Sequence, residues 1–299
     1  MPEIATQNSA NSRILGTALV IILSIIWGLA FVAIRRAVLE LSPINLTLLR
    51  WLMVSASFLV LAPAIGKPRA PIKRAHIPRI VLVAFASVAG YHLSLNYAET
   101  IVSSGLAGLL ISFGPIFAVL LSAIFLKEKI GVRLTTALGL AIIGAVILSL
   151  NSEVSFLSIT GPLAVVLAAF MYALFAVSSK PLVATYGALP TAVWSAVLGT
   201  IFILPLLSAD FFAQIQRLSA VGWLSVLYLS ILSTVVANII LYTLIASRAV
   251  SRLSVQLYLI PIVSLVGGIL LLGESITFLT TVGAAFLLGA TALATRKKT

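Results

Sequence analysis

His92 and Asn96 stand four residues apart inside a long apolar run, so any helix through that run carries both on one face. Tyr91 and Tyr97 flank them. At an offset of 146 residues the same two positions read Asn238 and Tyr242, again within an apolar run. Ser112 and Phe113 precede Pro115, while Gln256, Tyr258 and Leu259 precede Pro261 at the same offset. Trp27 and Phe31 lie in the first apolar run, with Met171, Tyr172 and Phe175 in its counterpart. These are aromatic rings and neutral hydrogen-bonding groups. Together they could enclose a ring and offer donors and acceptors to a solute of low net charge. A strongly anionic ligand would call for several buried cations, and a cationic one for a buried carboxylate.

Other chemistries lack their residues. Asp210 is the only aspartate and falls between apolar runs, so paired-aspartate catalysis has no second carboxylate. No serine with an oxyanion glycine motif accompanies His92 as a base. The chain has no cysteine, hence no disulfide framework and no thiolate metal site. No catalytic residues, metal ligands or cofactor are expected. Glu3, Glu40, Glu99, Glu128, Glu153, Asp210 and Glu274 all fall at run ends, in loops or in the terminus, so a buried-carboxylate proton relay is not expected. Nothing resembles a selectivity filter or a ring of charges, which argues against a passive pore. Arg50 is the one charge placed at membrane depth, expected to snorkel to the interface or bond backbone carbonyls rather than bind a ligand.

The elements that position these side chains follow from composition. Hydrophobic residues make up 61% of the 299 and charged residues 9%, where a soluble domain carries about a quarter charged. Mean hydropathy is +1.21. Ten stretches of roughly the length needed to cross the hydrocarbon lie at about 14–34, 44–63, 77–97, 101–126, 133–150, 157–179, 188–207, 220–244, 249–272 and 277–294. The polar stretch Met1–Ser12 lacks a basic region, so the first run reads as a retained span rather than a cleaved leader. With the N-terminus inside, fifteen of the eighteen basic residues in loops, at span ends or in the termini fall on the inner side, including Lys67, Arg69, Lys73, Arg74, Arg79 and Lys127; Arg35, Arg36 and Arg217 fall outside. That asymmetry places both termini in the cytoplasm. The net charge of +12 is then a cytoplasmic skirt, with no call for a nucleic-acid partner.

A repeat divides the chain. Glu128 and Glu274 end matching segments at the offset of 146, and Leu134-Thr135-Thr136 is echoed by Leu279-Thr280-Thr281 at 145. A fixed period of half the chain signals a duplicated unit, here residues 1–153 and 154–299. An odd number of five spans per unit inverts the second copy, the architecture of carriers that alternate access around a central cavity. The expected fold is an all-α polytopic membrane protein of ten transmembrane helices in two inverted five-helix repeats, with Pro115 and Pro261 as hinges. The partners expected are the lipid bilayer and a small-molecule substrate. Small residues spaced by four (Ala137, Ala141, Ala145; Thr281, Ala285, Gly289) allow close helix packing within one chain or between two, so a monomer fits as well as an oligomer.

Trp27-Gly28-Leu29-Ala30-Phe31 and Leu49-Arg50 resemble the drug/metabolite transporter (DMT) superfamily, EamA-type. So do Gly114-Pro115 followed by Phe125-Leu126-Lys127-Glu128, and Ile260-Pro261 followed by Leu271-Leu272-Gly273-Glu274. The resemblance covers the whole chain as two tandem repeats and is nearest to the YddG-type bacterial exporters of aromatic amino acids. It implies an inner-membrane location, a central cavity lined by helices 1, 3, 4, 6, 8 and 9, and efflux of neutral, aromatic amino acids or similar small metabolites by facilitated diffusion or exchange. A broad-specificity efflux carrier for other low-charge solutes is the alternative. The substrate-binding side chains expected are Trp27, Phe31, Tyr91, His92, Asn96, Ser112, Phe113, Met171, Tyr172, Asn238, Tyr242, Gln256 and Tyr258.

Overall fold

Helix is the only regular structure among the described residues, which are 2–65, 68–126, 132–149, 156–246 and 256–295 of this computed structural model. In hydrocarbon, no water satisfies a backbone amide, so an apolar chain must pair each N–H within its own segment. Six stretches are long and apolar enough to cross a membrane: Leu15–Ala37, Pro43–Leu61, Arg74–Ala98, Ile159–Tyr186, Ala188–Leu206 and Ala220–Leu241. Four shorter apolar stretches are Ser104–Ala118, Thr135–Leu148, Leu259–Leu272 and Phe278–Leu293. The chain is thus a multi-pass membrane protein.

The first helix, α1 (Pro2–Ala37), ends on Arg35 and Arg36, cations placed where the helix dipole favours them. Ser42 then accepts the Asn45 amide (3.2 Å) and Pro43 takes the first helical position, starting α2 (Pro43–Ile65). The third span is composite. An α-helical turn pair, α3 (Ile77–Ala84), widens into a π-helical stretch, π1 (Phe85–Leu93), and closes as α4 (Ser94–Ala98). Next come α5 (Ser104–Leu110) and α6 (Phe113–Leu126), separated at residues 111–112. Pro115 therefore lies in the first turn of α6, just past a break, whereas Pro261 lies within a continuous helix.

Then follow α7 (Val132–Ser149), α8 (Phe156–Tyr186), α9 (Ala188–Ile203) and the short α10 (Ala209–Gln216). A second composite span consists of α11 (Ala220–Leu227), π2 (Tyr228–Val236) and α12 (Ala237–Ala246). The chain ends in α13 (Gln256–Leu272) and α14 (Phe278–Thr295). Both π stretches are nine residues long and lie 143 residues apart. In that register His92 stands level with Val235 and Asn238 with Leu95, three residues from the pairing read at an offset of 146.

The packing partners come in matched sets. Helix α1 packs on α13, and α8 on α6; α7 packs on α14; α8 and α9 both pack on π1, while α1 and α2 both pack on π2. Between apolar helices in lipid, close approach rather than burial from water supplies the attraction. Gly144 and Gly283 show it: a Cβ on Gly144 would lie 2.9 Å from the Gly283 carbonyl oxygen, so α7 and α14 meet backbone to backbone. The outer surface carries exposed Ile21, Ile25, Leu59, Val60, Leu163, Leu167 and Leu270, an apolar face suited to acyl chains.

Two carboxylates tie one end of the bundle. Glu40, in the turn after α1, pairs with Arg36 (2.8 Å) and accepts both the Ser219 amide and hydroxyl (2.7 Å each) at the start of α11. The backbone amide of Ser219, then its hydroxyl and Arg36, hold the Glu40 carboxyl below the usual range despite some burial. Glu274 accepts the amides of Ser104 (2.7 Å) and Gly105 (3.0 Å) at the start of α5. Gly273 makes this reach possible by adopting φ 68°, which turns the chain back so that the Glu274 amide bonds the Gly268 carbonyl (3.1 Å). A Cβ on Gly268 would overlap the Glu274 carboxylate, so the crossing needs glycine there.

Candidate functional site

The π1 stretch widens the third span where Tyr91 and His92 sit, a distortion that recurs at functional positions in helices. Helix α2 presents Thr47, Arg50 and Trp51 to it on one face, at spacings of three and four. The Trp51 and His92 rings meet edge to face with centroids 5.0 Å apart. The Asn96 amide donates to the Thr47 hydroxyl (2.9 Å), which itself donates to the Pro43 carbonyl (2.7 Å). Tyr91 touches His92 (4.7 Å) on one side and Tyr172 of α8 (5.7 Å) on the other, and Tyr172 continues to Phe175 (6.1 Å). Gly90 lets Met171 of α8 approach at the same level, since a Cβ there would lie 2.8 Å from its sulfur.

The π2 stretch closes another side. The Thr234 hydroxyl donates to the Leu229 carbonyl (2.8 Å) and accepts from Arg50 Nη2 (3.0 Å). Asn238 donates to the Thr234 carbonyl (2.7 Å). From α1, the Trp27 indole N–H donates to the Ser233 carbonyl (3.1 Å), and Tyr228 returns a bond to the Ile26 carbonyl (2.8 Å). Tyr91, His92, Asn96, Met171 and Tyr172 are thus neighbours, while the Asn238 amide is spent on the carbonyl four residues back on its own helix.

Other expected residues lie apart from that cluster. Phe31 is buried where α1 meets α5 and α13, its ring 3.7 Å from a Cβ built on Gly108. Phe113 stacks on Phe117 (5.9 Å), which meets Phe170 (5.7 Å). Ser112 is buried, and its carbonyl accepts from Thr291 (3.3 Å). The side chains of Tyr242, Gln256 and Tyr258 fall outside the described residues. Two open grooves of about 390 and 470 Å³ lie elsewhere: one between α2 and π2 at Ala56, Val60 and Ile231, the other beside Tyr97 and Leu163.

Arg50 corrects the sequence reading. It is 4% exposed, far too buried to snorkel, and its described partner is a threonine hydroxyl rather than a carbonyl. Glu99 is a second surprise. It follows α4 at the span end, as its position predicts, yet it is 0% exposed with neither carboxylate oxygen hydrogen-bonded among the described residues. Arg35 instead donates to the Glu99 backbone carbonyl. Sequence reasoning also passed over Thr47, Trp51 and Thr234. The α2 residues carried a signal, because three polar-capable residues at i, i+3 and i+4 share one helical face; Thr234 carried none beyond its depth.

With this geometry in place, comparison with known proteins decides the family. The profile of the EamA-like transporter family matches twice, over residues 14–150 and 159–296. The chain belongs to that family, within the drug/metabolite transporter superfamily. An "Uncharacterized transporter" of Archaeoglobus fulgidus is 34% identical over 91% of this chain and 95% of its own length. A protein of Streptantibioticus cattleyicolor named "Probable terminal-alkyne amino-acid exporter" is 31% identical, covering 87% of this chain and 86% of that one. A chain of known crystal structure superposes with a TM-score of 0.60 over 94% of this chain and 96% of its own, at 18% identity, which shows a shared fold. The family and these relatives are transporters, not enzymes.

Proposed function

We propose that this EamA-family chain exports neutral, aromatic amino acids or similar small metabolites across the bacterial inner membrane by alternating access. The observation that carries the reading is the meeting of Tyr91, His92, Trp51 and Tyr172 beside Asn96, from three helices of both halves of the chain. Rings facing one another with hydrogen-bonding groups alongside suit a solute with an aromatic body and a polar end. The name of the Streptantibioticus cattleyicolor relative supports amino-acid export.

Ten spans in two inverted halves are the architecture we assign. The matched packing sets, the two π stretches and the double family match support it. The carboxylate clamps of Glu40 and Glu274 bind the end that the charge bias assigns to the outer face, so opening towards that side must break them. Both termini face the cytoplasm, and the flow follows the substrate gradient by facilitated diffusion or exchange. Counterflow in liposomes tests this. Trans-loaded tryptophan or phenylalanine should accelerate uptake of the labelled amino acid, with saturation, against a panel of unlabelled competitors. Linear, unsaturated flux without trans-stimulation would refute a carrier, and indifference to every amino acid in the panel would refute the substrate class.

A further inference from the structure

Four buried polar atoms between α2 and the third span make no hydrogen bond among the described residues: Arg50 Nε, Trp51 Nε1, His92 Nδ1 and Asn96 Oδ1. Their neighbours fix how they point. Thr47 spends its hydrogen on the Pro43 carbonyl, so it can only accept from Asn96, which identifies the free Asn96 atom as the carbonyl oxygen. Thr234 likewise spends its hydrogen on Leu229 and can only accept from Arg50. The guanidinium is therefore held in place by one neutral oxygen. The one ion pair among the described residues is Arg36–Glu40, so no described carboxylate lies within 4.0 Å of Arg50. Glu99 lies within electrostatic reach, but its oxygens accept nothing.

A buried cation without an anionic partner, beside three other unpartnered polar atoms, is costly for a membrane protein to keep. The four atoms also form a pattern. Two are obligate donors, Arg50 Nε–H and Trp51 Nε1–H. Two can accept, Asn96 Oδ1 and His92 Nδ1 in the tautomer protonated at Nε2. A carboxylate needs donors and an ammonium needs acceptors, and an α-amino acid carries both on one carbon. We propose that Arg50, Trp51, His92 and Asn96 recognise the backbone of a zwitterionic amino acid, with Arg50 and Trp51 on the carboxylate and Asn96 and His92 on the ammonium. This rests on the amino-acid reading above and narrows it: the α-carboxylate is required, and the aromatic side chain extends towards Tyr91 and Tyr172. Arg50 makes a carboxylate worth more here than in water, because a charged pair in a dry site is strong and leaving one member unpaired is expensive.

The test uses the intact chain in liposomes and three related probes: tryptophan, tryptamine, which lacks the carboxylate, and indole-3-propionate, which lacks the ammonium. The wild-type protein should take up tryptophan at least about 10-fold better than either analogue, by KM rather than kcat. Arg50→Gln should cost about 100-fold in kcat/KM for tryptophan and erase the preference for tryptophan over tryptamine. Arg50→Lys, which keeps the charge but loses the planar fork, should fall between. Asn96→Ala should selectively erase the preference over indole-3-propionate. The preference ratios are read on folded, reconstituted protein, so simple loss of yield does not produce them, and the wild-type ratios need no variant at all. Wild-type transport of tryptamine as good as that of tryptophan, or an unchanged ratio in Arg50→Gln, would overturn the site while leaving amino-acid export standing. A wild-type protein that moves no amino acid would overturn both.

Discussion

Replacing Glu274 by alanine removes both acceptors that the Ser104 and Gly105 amides use at the start of α5. Each is a charge-assisted bond at a helix N-terminus, of a kind worth about 1.5–3 kcal/mol with full geometry. Water that enters the loosened end recovers part of that loss, leaving a net effect of about 2–3 kcal/mol on the closed arrangement. At 1.36 kcal/mol per decade, the open population should rise by about 30- to 150-fold. Glu274→Gln keeps one neutral acceptor and should raise it by only about 5- to 10-fold. The natural absence of cysteine makes this measurable, since a single introduced thiol reports without background. Ser104 is fully buried with an unpartnered hydroxyl, so Ser104→Cys is a near-isosteric probe. Its labelling rate by a membrane-impermeant maleimide should rise in the order parent, Glu274→Gln, Glu274→Ala. Equal rates in all three, in protein that elutes as a sharp single species, would refute the claim that this carboxylate holds the end closed.

Three further outcomes follow from the same structure. Glu40 is held below its ordinary carboxylate value, so its contribution to stability is complete above about pH 4.5 and is lost as the pH falls through the lower folded value; Glu40→Gln should flatten the acid limb of the melting curve, and an unchanged limb would remove Glu40 from the account. Reporter fusions after Gly187 and Thr299 should read cytoplasmic and one after Asp210 periplasmic, and a periplasmic C-terminus would sink both the ten-span count and the inverted arrangement. Transport should proceed with equal pH on both sides, and Glu99→Gln should keep that rate within about twofold if burial has already made the carboxyl electrically silent; uphill uptake driven by a pH gradient and lost in Glu99→Gln would make Glu99 a proton carrier instead.

Much of the helical architecture was legible because a bilayer leaves a chain few choices. Apolar length alone marks where Leu15–Ala37, Pro43–Leu61 and the other long spans run. Interruptions within spans were less legible. Both π stretches sit in sequences with no proline, FASVAGYHL and YLSILSTVV, and roughly one extra residue per turn leaves no recognisable period in short runs that mix apolar and small polar residues. Pro115 marks a kink, but the helix breaks at residues 111–112, where Ile111 and Ser112 carry no breaker of their own; Pro115 has no N–H to give the Ile111 carbonyl, which accepts instead from the Gly114 amide (2.9 Å). Arg50 was misplaced for a different reason. A long side chain near a span end has two outlets, and only the position of Thr234, 184 residues away, shows that it turned inwards.

Which polar residues in such a chain bear on function follows from how each can be satisfied. Ser24, Thr191, Ser195, Ser225 and Ser230 donate to the carbonyl four residues back on their own helix, so they sit in hydrocarbon at little cost and need no partner elsewhere. Arginine, asparagine, histidine and tryptophan carry more donors or acceptors than their own helix can meet, so each must find a group on another helix, a water or a solute. Trp27 finds Ser233 across the bundle and is satisfied. Arg50, Trp51, His92 and Asn96 each keep an atom unmet, and all four lie on the facing sides of α2 and the third span. The remaining unmet atoms among the described residues are both Glu99 carboxylate oxygens and the Ser104 and Ser112 hydroxyls. The position of Arg50, Trp51, His92 and Asn96 at one interface, with donors from α2 and acceptors from the third span, is what the proposed site for a two-ended polar solute requires, and on that proposal selectivity rests on α2 as much as on Tyr91 and Tyr172.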